Sequence, residues 1–420
     1  MLFLIECKKV LFSLTFLVYF LTVLAMYFTQ FHSDGREALE MPVPGYRDYG
    51  MISKEIPEIL MPAAVESLVS EYLSESFMAY PYGFIKYVKL TEKKKTELAE
   101  IISQVSGITM QELDSFEGFE QGGYIMNEDG SFLYQEPTIP EVNIPIDLTY
   151  EHFRELMREA DRIIGGGSKY SDEFIVGNFS RVPKTYEDAM AEYEQFLNED
   201  KITRAYARLY CDYLGIDVAI LPVFVAAALA GLDRKSRMEQ LAYARKISSA
   251  RLIFTRYIAL IAIMMIPLIL TAVIANNMVN SLYPDYALDH FAIFRYALFW
   301  LVPNIMTASA VGMLVTELSS SLLAIFAQGA WWFASIFSSA GGLTGSIGRF
   351  TLVMRHNSLT DHDVFYAQWE NIVFNRIFFT AISLAAIALT ACIYEQKRRG
   401  IVNGLSLQIN RKHFERKSKT

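Results

Sequence analysis

Cysteine is scarce in this 420-residue chain: Cys7, Cys211 and Cys392 are the only three, and residues 31–210 contain none. Isolated thiols near the edges of apolar segments exclude a disulfide framework and provide no cysteine cluster for a metal. A nucleotide phosphate loop is also missing. In Gly165-Gly166-Gly167-Ser168-Lys169 the lysine follows the serine, whereas such a loop needs Gly-Lys and then Ser or Thr, between a strand and a helix. These glycines follow a helical pattern, so a helix stop is expected. The Gly-rich stretch 341–349 lacks the Lys-Ser/Thr pair as well and reads as flexible or closely packed backbone. His356, Asp361, His362 and Asp363 form the one dense group of metal-ligand types. Their spacing fits no helical zinc motif, and a solvated loop is expected. No Ser/His/Asp arrangement can be assigned, so the chain is not expected to be an enzyme.

What is present is apolar sequence in blocks. Hydrophobic residues make up 52% of the chain and charged ones 20%, a mixture that suggests apolar segments separated by polar ones. A hydrocarbon core about 30 Å thick takes roughly 20 apolar residues per spanning helix. Six segments qualify or nearly qualify: 10–28, 214–232, 257–275, 296–316, 318–339 and 377–393. Five carry no charge, and 214–232 carries only Asp217. The fold class expected is an α-helical polytopic membrane protein with six transmembrane helices plus a mainly helical (α+β) extracellular domain. Lys8 and Lys9 precede the first segment, whose length exceeds the ~7–15 residues of a signal core and which no small-x-small cleavage site follows, so an uncleaved anchor is expected.

Lys and Arg set the orientation. They cluster before the first segment, in the 233–256 connection, and in the tail at Lys397, Arg398, Arg399, Arg411, Lys412, Arg416, Lys417 and Lys419. With six spans these regions share one side, expected to be cytoplasmic with both termini. Residues 1–30 then form the N-terminus and first span, 31–210 an acidic extracellular domain, 211–395 the remaining spans, and 396–420 a basic tail. The 31–210 segment has 17 Lys and Arg against 33 Asp and Glu, a net −16, while the remainder is +8.

Within 31–210, helical spacing marks 58–75 and 91–105, with Thr91 as N-cap. Tyr124–Met126 and Phe132–Tyr134 flank Asn127-Glu128-Asp129-Gly130, a hairpin pattern with Asp-Gly at its tip. A Pro-rich linker, 137–145, leads to a helix opened by Thr149 and running to about Ile164. Residues 186–213 read as one long amphipathic helix entering the second span.

Asp217, five residues before Pro222, is an ionisable group in an apolar segment, a site by default unless it reaches water at the interface. Pro222, Pro267 and Pro303 with Asn304 can kink three spans. Gln328 beside Trp331 and Trp332 either lines a path or packs. Asp217, Asn304 and Gln328 are therefore the candidate translocation-path residues. Arg234, Lys235, Arg237, Arg245, Lys246 and Arg251 alternate with apolar positions at helical spacing, predicting a short surface helix over 234–251. Such a helix suits either anionic lipid or a cytoplasmic protein partner.

These residues resemble the membrane permease subunits of type-2 ATP-binding cassette exporters, including bacterial members with a large external insertion. The resemblance is carried by the stretch from Ala207-Arg208-Leu209 to Gly215-Ile216, by Leu221-Pro222-Val223-Phe224 and Tyr243-Ala244-Arg245-Lys246-Ile247-Ser248-Ser249, and by Val373-Phe374-Asn375-Arg376 and Lys397-Arg398-Arg399-Gly400. It implies a subunit that pairs with a second permease, as homo- or heterodimer, in the cell membrane, and moves a substrate across the lipid bilayer. A separate cytoplasmic ABC ATPase would bind ATP and Mg and dock on the basic loop, through Arg234, Lys235, Arg237, Arg245 and Lys246. No cofactor is expected in this chain, and no nucleic acid among its partners. A membrane sensor or scaffold with a ligand-binding extracellular domain is the alternative.

Overall fold

The computed structural model describes residues 2–80, 85–120, 122–126, 132–319, 321–337 and 347–401. The chain divides into two compact units, one of residues 42–190 and one of residues 1–41 with 191 onward.

In the 42–190 unit three helices, Pro57–Leu73, Glu92–Ser106 and Tyr150–Ile164, pack around Leu60, Val65, Leu68, Ile102, Phe153 and Met157. Thr149 starts the third as expected, its hydroxyl accepting from the His152 N–H at 3.3 Å. Gly165, Gly166 and Gly167 end it at φ of 133°, 84° and 69°, values that exclude most side chains. The Gly165-to-Lys169 stretch is therefore a helix stop. Three two-stranded antiparallel pairs complete the unit: Met51–Ser53 with Arg181–Pro183, Phe77–Ala79 with Lys86–Val88, and Gly123–Met126 with Phe132–Gln135. The last is the expected hairpin, and its Asn127–Gly130 tip lies outside the described residues.

The other unit is a bundle. Among the described residues, five of its helices are long and apolar enough to cross a membrane: Leu14–Gly35, Thr203–Ala230, Ser249–Leu282, Ala292–Leu318 and Trp369–Arg398. The segment expected at 318–339 forms the helix Ser321–Phe337, which at 17 residues is shorter.

Several boundaries differ from the sequence reading, each for a visible reason. The first long helix starts at Leu14, not at residue 10, because Ser13 adopts an extended conformation and caps it, its hydroxyl accepting from the Phe16 N–H at 3.1 Å. The preceding residues form a separate helix, Leu2–Leu11. The expected continuous helix over 186–213 is two, Tyr186–Asn198 and Thr203–Val218. Between them Lys201 and Ile202 have φ of 46° and 58°, a costly conformation for a β-branched residue. The turn brings the Asp200 carboxylate back onto Arg208, at 2.5 and 2.6 Å.

Hydroxyls from neighbouring helices reach backbone carbonyls inside the long helices. Around Pro267 the Tyr19 hydroxyl donates to the Met264 carbonyl at 3.0 Å and the Tyr210 hydroxyl to the Leu268 carbonyl at 2.7 Å. Gly312 lets Pro222–Ala230 and Val302–Leu318 approach closely, since a Cβ there would sit 2.7 Å from that of Ala226.

Candidate functional site

The basic connection is not the single helix expected over 234–251. It forms two short turns of helix, Leu232–Lys235 and Glu239–Tyr243, and then bends through 244–248 before Ser249 opens the next long helix. Arg237, at φ 56°, breaks the first part. The bend is fastened by one side chain. Arg398, at the end of Trp369–Arg398, donates to the Tyr243 carbonyl at 2.9 Å, the Ile247 carbonyl at 2.7 Å and the Arg245 carbonyl at 2.8 Å. Arg234 fastens the first part by donating to the carbonyls of Thr316 and Ser319, both at 3.0 Å. Underneath, Arg256 is buried between Glu6 at 3.3 Å and Asp233 at 2.6 Å. Lys397 pairs with Glu317 at 3.0 Å.

The five basic residues singled out thus divide. Arg234 holds the loop in place, whereas Lys235, Arg237, Arg245 and Lys246 are exposed and form no ion pair with the described residues. Leu241, 66% exposed, and Met238, 54% exposed, lie among them. The surface is basic with an apolar centre, on a backbone pinned from behind.

The three path candidates are not brought together. Asp217 is half-buried, and its Oδ2 has no hydrogen-bond partner. It lies at the break that Pro222 forces in Thr203–Ala230. There the Ile220 N–H turns to the Asp217 carbonyl and the Val223 N–H to the Ile220 carbonyl, which frees the Ile216 and Ala219 carbonyls. Trp332 Nε1 donates to the first at 3.0 Å and Gln328 Nε2 to the second at 2.6 Å. Gln328 and Trp332 therefore repair a broken helix, and Trp331 packs against Phe379. Asn304 sits elsewhere, buried, its Oδ1 accepting from Arg376 at 2.8 Å.

The centre of the polar chemistry is a segment without helix, residues 347–361, in which Leu352, Val353 and Met354 are buried. Side chains from the helices bind its backbone in turn. Asn375 donates to the Gly348 carbonyl at 2.6 Å and the Thr351 carbonyl at 2.9 Å. Ser335 accepts from the Val353 N–H at 3.1 Å. Asp212 accepts from the His356 and Asn357 N–H groups, both at 2.8 Å. Arg208, wholly buried beside Asp200, lies over the Phe365 ring at 5.1 Å. His356 points a ring nitrogen at the Thr360 carbonyl, and burial holds its imidazole below the ordinary value of 6.5.

His356, Asp361, His362 and Asp363 do not converge, and no group of three metal-ligand types gathers among the described residues. His362 instead packs at a tilt against Tyr366, ring centroids 4.4 Å apart, and faces Asp363 at 3.2 Å. The 341–346 part of the Gly-rich stretch and the tail residues Arg411, Lys412, Arg416, Lys417 and Lys419 lie outside the described residues. Sequence reasoning missed Arg208, Asp212, Asn375 and Arg376 as site residues. The available signal was their position: Arg208 and Asp212 are polar residues with apolar or aromatic neighbours in sequence, and Asn375 and Arg376 are a polar pair flanked by Phe374 and Ile377.

Taken together, the fold and these sites define a multi-pass, mainly helical membrane protein with an irregular segment buried in its bundle. No family model, curated protein or solved structure matches the chain.

Proposed function

We propose that this chain is the membrane-spanning permease subunit of an ATP-binding cassette transporter, moving a substrate across the cell membrane with a separate cytoplasmic ATPase. In this reading there are six spans, Ser321–Phe337 contributing to the fifth. Both termini and the 233–256 loop are cytoplasmic, and the acidic 42–190 unit is extracellular. A second permease completes the assembly, and ATP and Mg belong to the ATPase.

The observation that supports it most is the pinned basic loop. Lys235, Arg237, Arg245 and Lys246 are exposed around Leu241, while Arg398 and Arg234 tie the backbone beneath them to the last long helix and to Ala292–Leu318. A partner that pushes on this surface pushes on those two helices directly. An irregular segment with a buried backbone, held between the last two spans by side chains of the helices, is the other supporting feature, since transporters enclose non-helical backbone within protein.

The test is co-purification from native membranes. The wild-type chain should recover an ABC ATPase, and Arg245→Glu with Lys246→Glu should lose it with membrane insertion unchanged. An undiminished yield of ATPase with that variant would refute the docking role. If no ATPase accompanies the wild type, the sensor or scaffold reading replaces this one.

A further inference from the structure

Arg376 is a buried cation whose contacts among the described residues are all neutral. It is 2% exposed, inside Trp369–Arg398. Its Nε donates to Asn375 Oδ1 at 3.1 Å and its Nη2 to the same oxygen at 2.5 Å. Its Nη1 donates to the Trp300 carbonyl at 2.7 Å and to Asn304 Oδ1 at 2.8 Å. No carboxylate among the described residues forms an ion pair with it. A guanidinium does not give up its proton in a protein, so the charge stays, and a buried charge without a counter-ion is strongly disfavoured.

The same place has a donor to spare: Asn304 Nδ2 is buried and has no partner among the described residues. Trp300 contributes its backbone carbonyl, while its ring stacks on Phe365 and its Nε1 faces Gly215. The oxygens there are already engaged by Arg376. What is lacking is an acceptor bearing one negative charge.

We infer that Arg376 and Asn304 form a binding site for a carboxylate group. One positive charge matches a monovalent carboxylate better than a doubly charged phosphate monoester. Its two oxygens suit the remaining Nη2 hydrogen and the Asn304 amide. The 22 residues of helix from Arg376 to Arg398 span about 33 Å, so the site lies near the end of the bundle opposite the basic loop. Asn375 joins it to the irregular segment, because the amide that accepts from Arg376 also donates to Gly348 and Thr351. Occupation of the site and seating of that segment are thereby linked.

The site needs only this bundle, so its test is independent of any ATPase and of the docking loop. The full chain, purified in an uncharged detergent at pH 7, is heated while tryptophan fluorescence is followed, in sodium acetate or hexanoate, with sodium chloride and hexanol as controls. The carboxylates should raise Tm saturably, by about 2 °C or more, and the controls should not. A response to both carboxylates marks a soluble ligand, and one to hexanoate alone an amphiphile. Asn304→Asp keeps the oxygen that accepts from Arg376 and supplies the missing charge. It should raise the starting Tm and abolish the carboxylate response, and Arg376→Gln should abolish it too. Absence of any carboxylate effect on the wild type, an equal effect of chloride, or an undiminished effect in Asn304→Asp would overturn the assignment.

Discussion

Arg398→Met tests whether one guanidinium shapes the basic loop. Methionine keeps most of the side-chain stem and removes all three bonds, at 2.7 to 2.9 Å, to the carbonyls of Tyr243, Arg245 and Ile247. A hydrogen bond from a charged donor contributes about 1.5–3 kcal/mol net. These three share one donor group, and that to Arg245 is solvent-exposed, so they do not add fully. A combined contribution of about 3 kcal/mol is reasonable, roughly a hundredfold in the local opening equilibrium. Amide hydrogen exchange resolves such an opening. The amides of 243–248 should exchange about a hundredfold faster in Arg398→Met, while those of the long helices stay protected. Arg399→Met is the control, since Arg399 is 66% exposed at its side chain and among the described residues pairs with Glu395 alone, a kind of bond worth about 0–1 kcal/mol. Unchanged exchange over 243–248 in Arg398→Met would refute the clamp. If exchange rises and ATPase recovery falls, with the exposed lysines and arginines untouched, the shape of the loop matters as well as its charge.

Two further outcomes concern the polar network. His356 has its pKa lowered by burial from 6.5, so the unfolded chain binds the proton more readily than the folded one. Its stabilising effect is therefore complete above about 6.5 and is lost as pH falls below that. Thermal unfolding between pH 7 and 5 should fall more steeply for the wild type than for His356→Gln, and parallel curves would exclude the effect. Arg208→Met leaves the Asp200 carboxylate, 1% exposed, buried without its partner. This should cost about 3–5 kcal/mol, and adding Asp200→Leu should recover most of the lost Tm. A double variant as unstable as the single one would mean that the pair contributes through something other than its charges.

The apolar centres of the long helices were legible because about 20 consecutive residues without charge are rare in a folded chain except where it crosses a bilayer. Their ends were not. Trp369–Arg398 begins eight residues before the expected 377, since Glu370 and Arg376 interrupt the apolar run and only tertiary contacts with Asn304 and Trp300 keep Arg376 inside. The break at 199–202 has no local signal either: it depends on a buried pair between Asp200 and Arg208. Ser13 is different, because a serine directly before an apolar run is an N-cap pattern and could have placed the start at Leu14. The charge of the basic loop was legible, but not its bend, whose fastening residue lies 151 to 155 positions away in sequence.

Polar residues within the apolar segments could be picked out one at a time, whereas their roles depend on which backbone groups are left over. Where a helix breaks at Pro222, two carbonyls need donors, and Gln328 and Trp332 supply them. Where residues 347–361 run without helix, Asn375, Ser335 and Asp212 do the same for carbonyls and N–H groups. These backbone needs account for where those side chains sit. Arg376 is the exception, because its neighbours satisfy its hydrogen bonds and leave its charge unbalanced. Asn304, flagged from sequence as a path residue, retains an unused donor at the same place. A polar group consumed by the fold argues for structure; a charge and a donor left over argue for something that binds. This is why Asn304→Asp is the sharper experiment than removal of Arg376: it adds the missing charge without disturbing the bonds that the fold already uses.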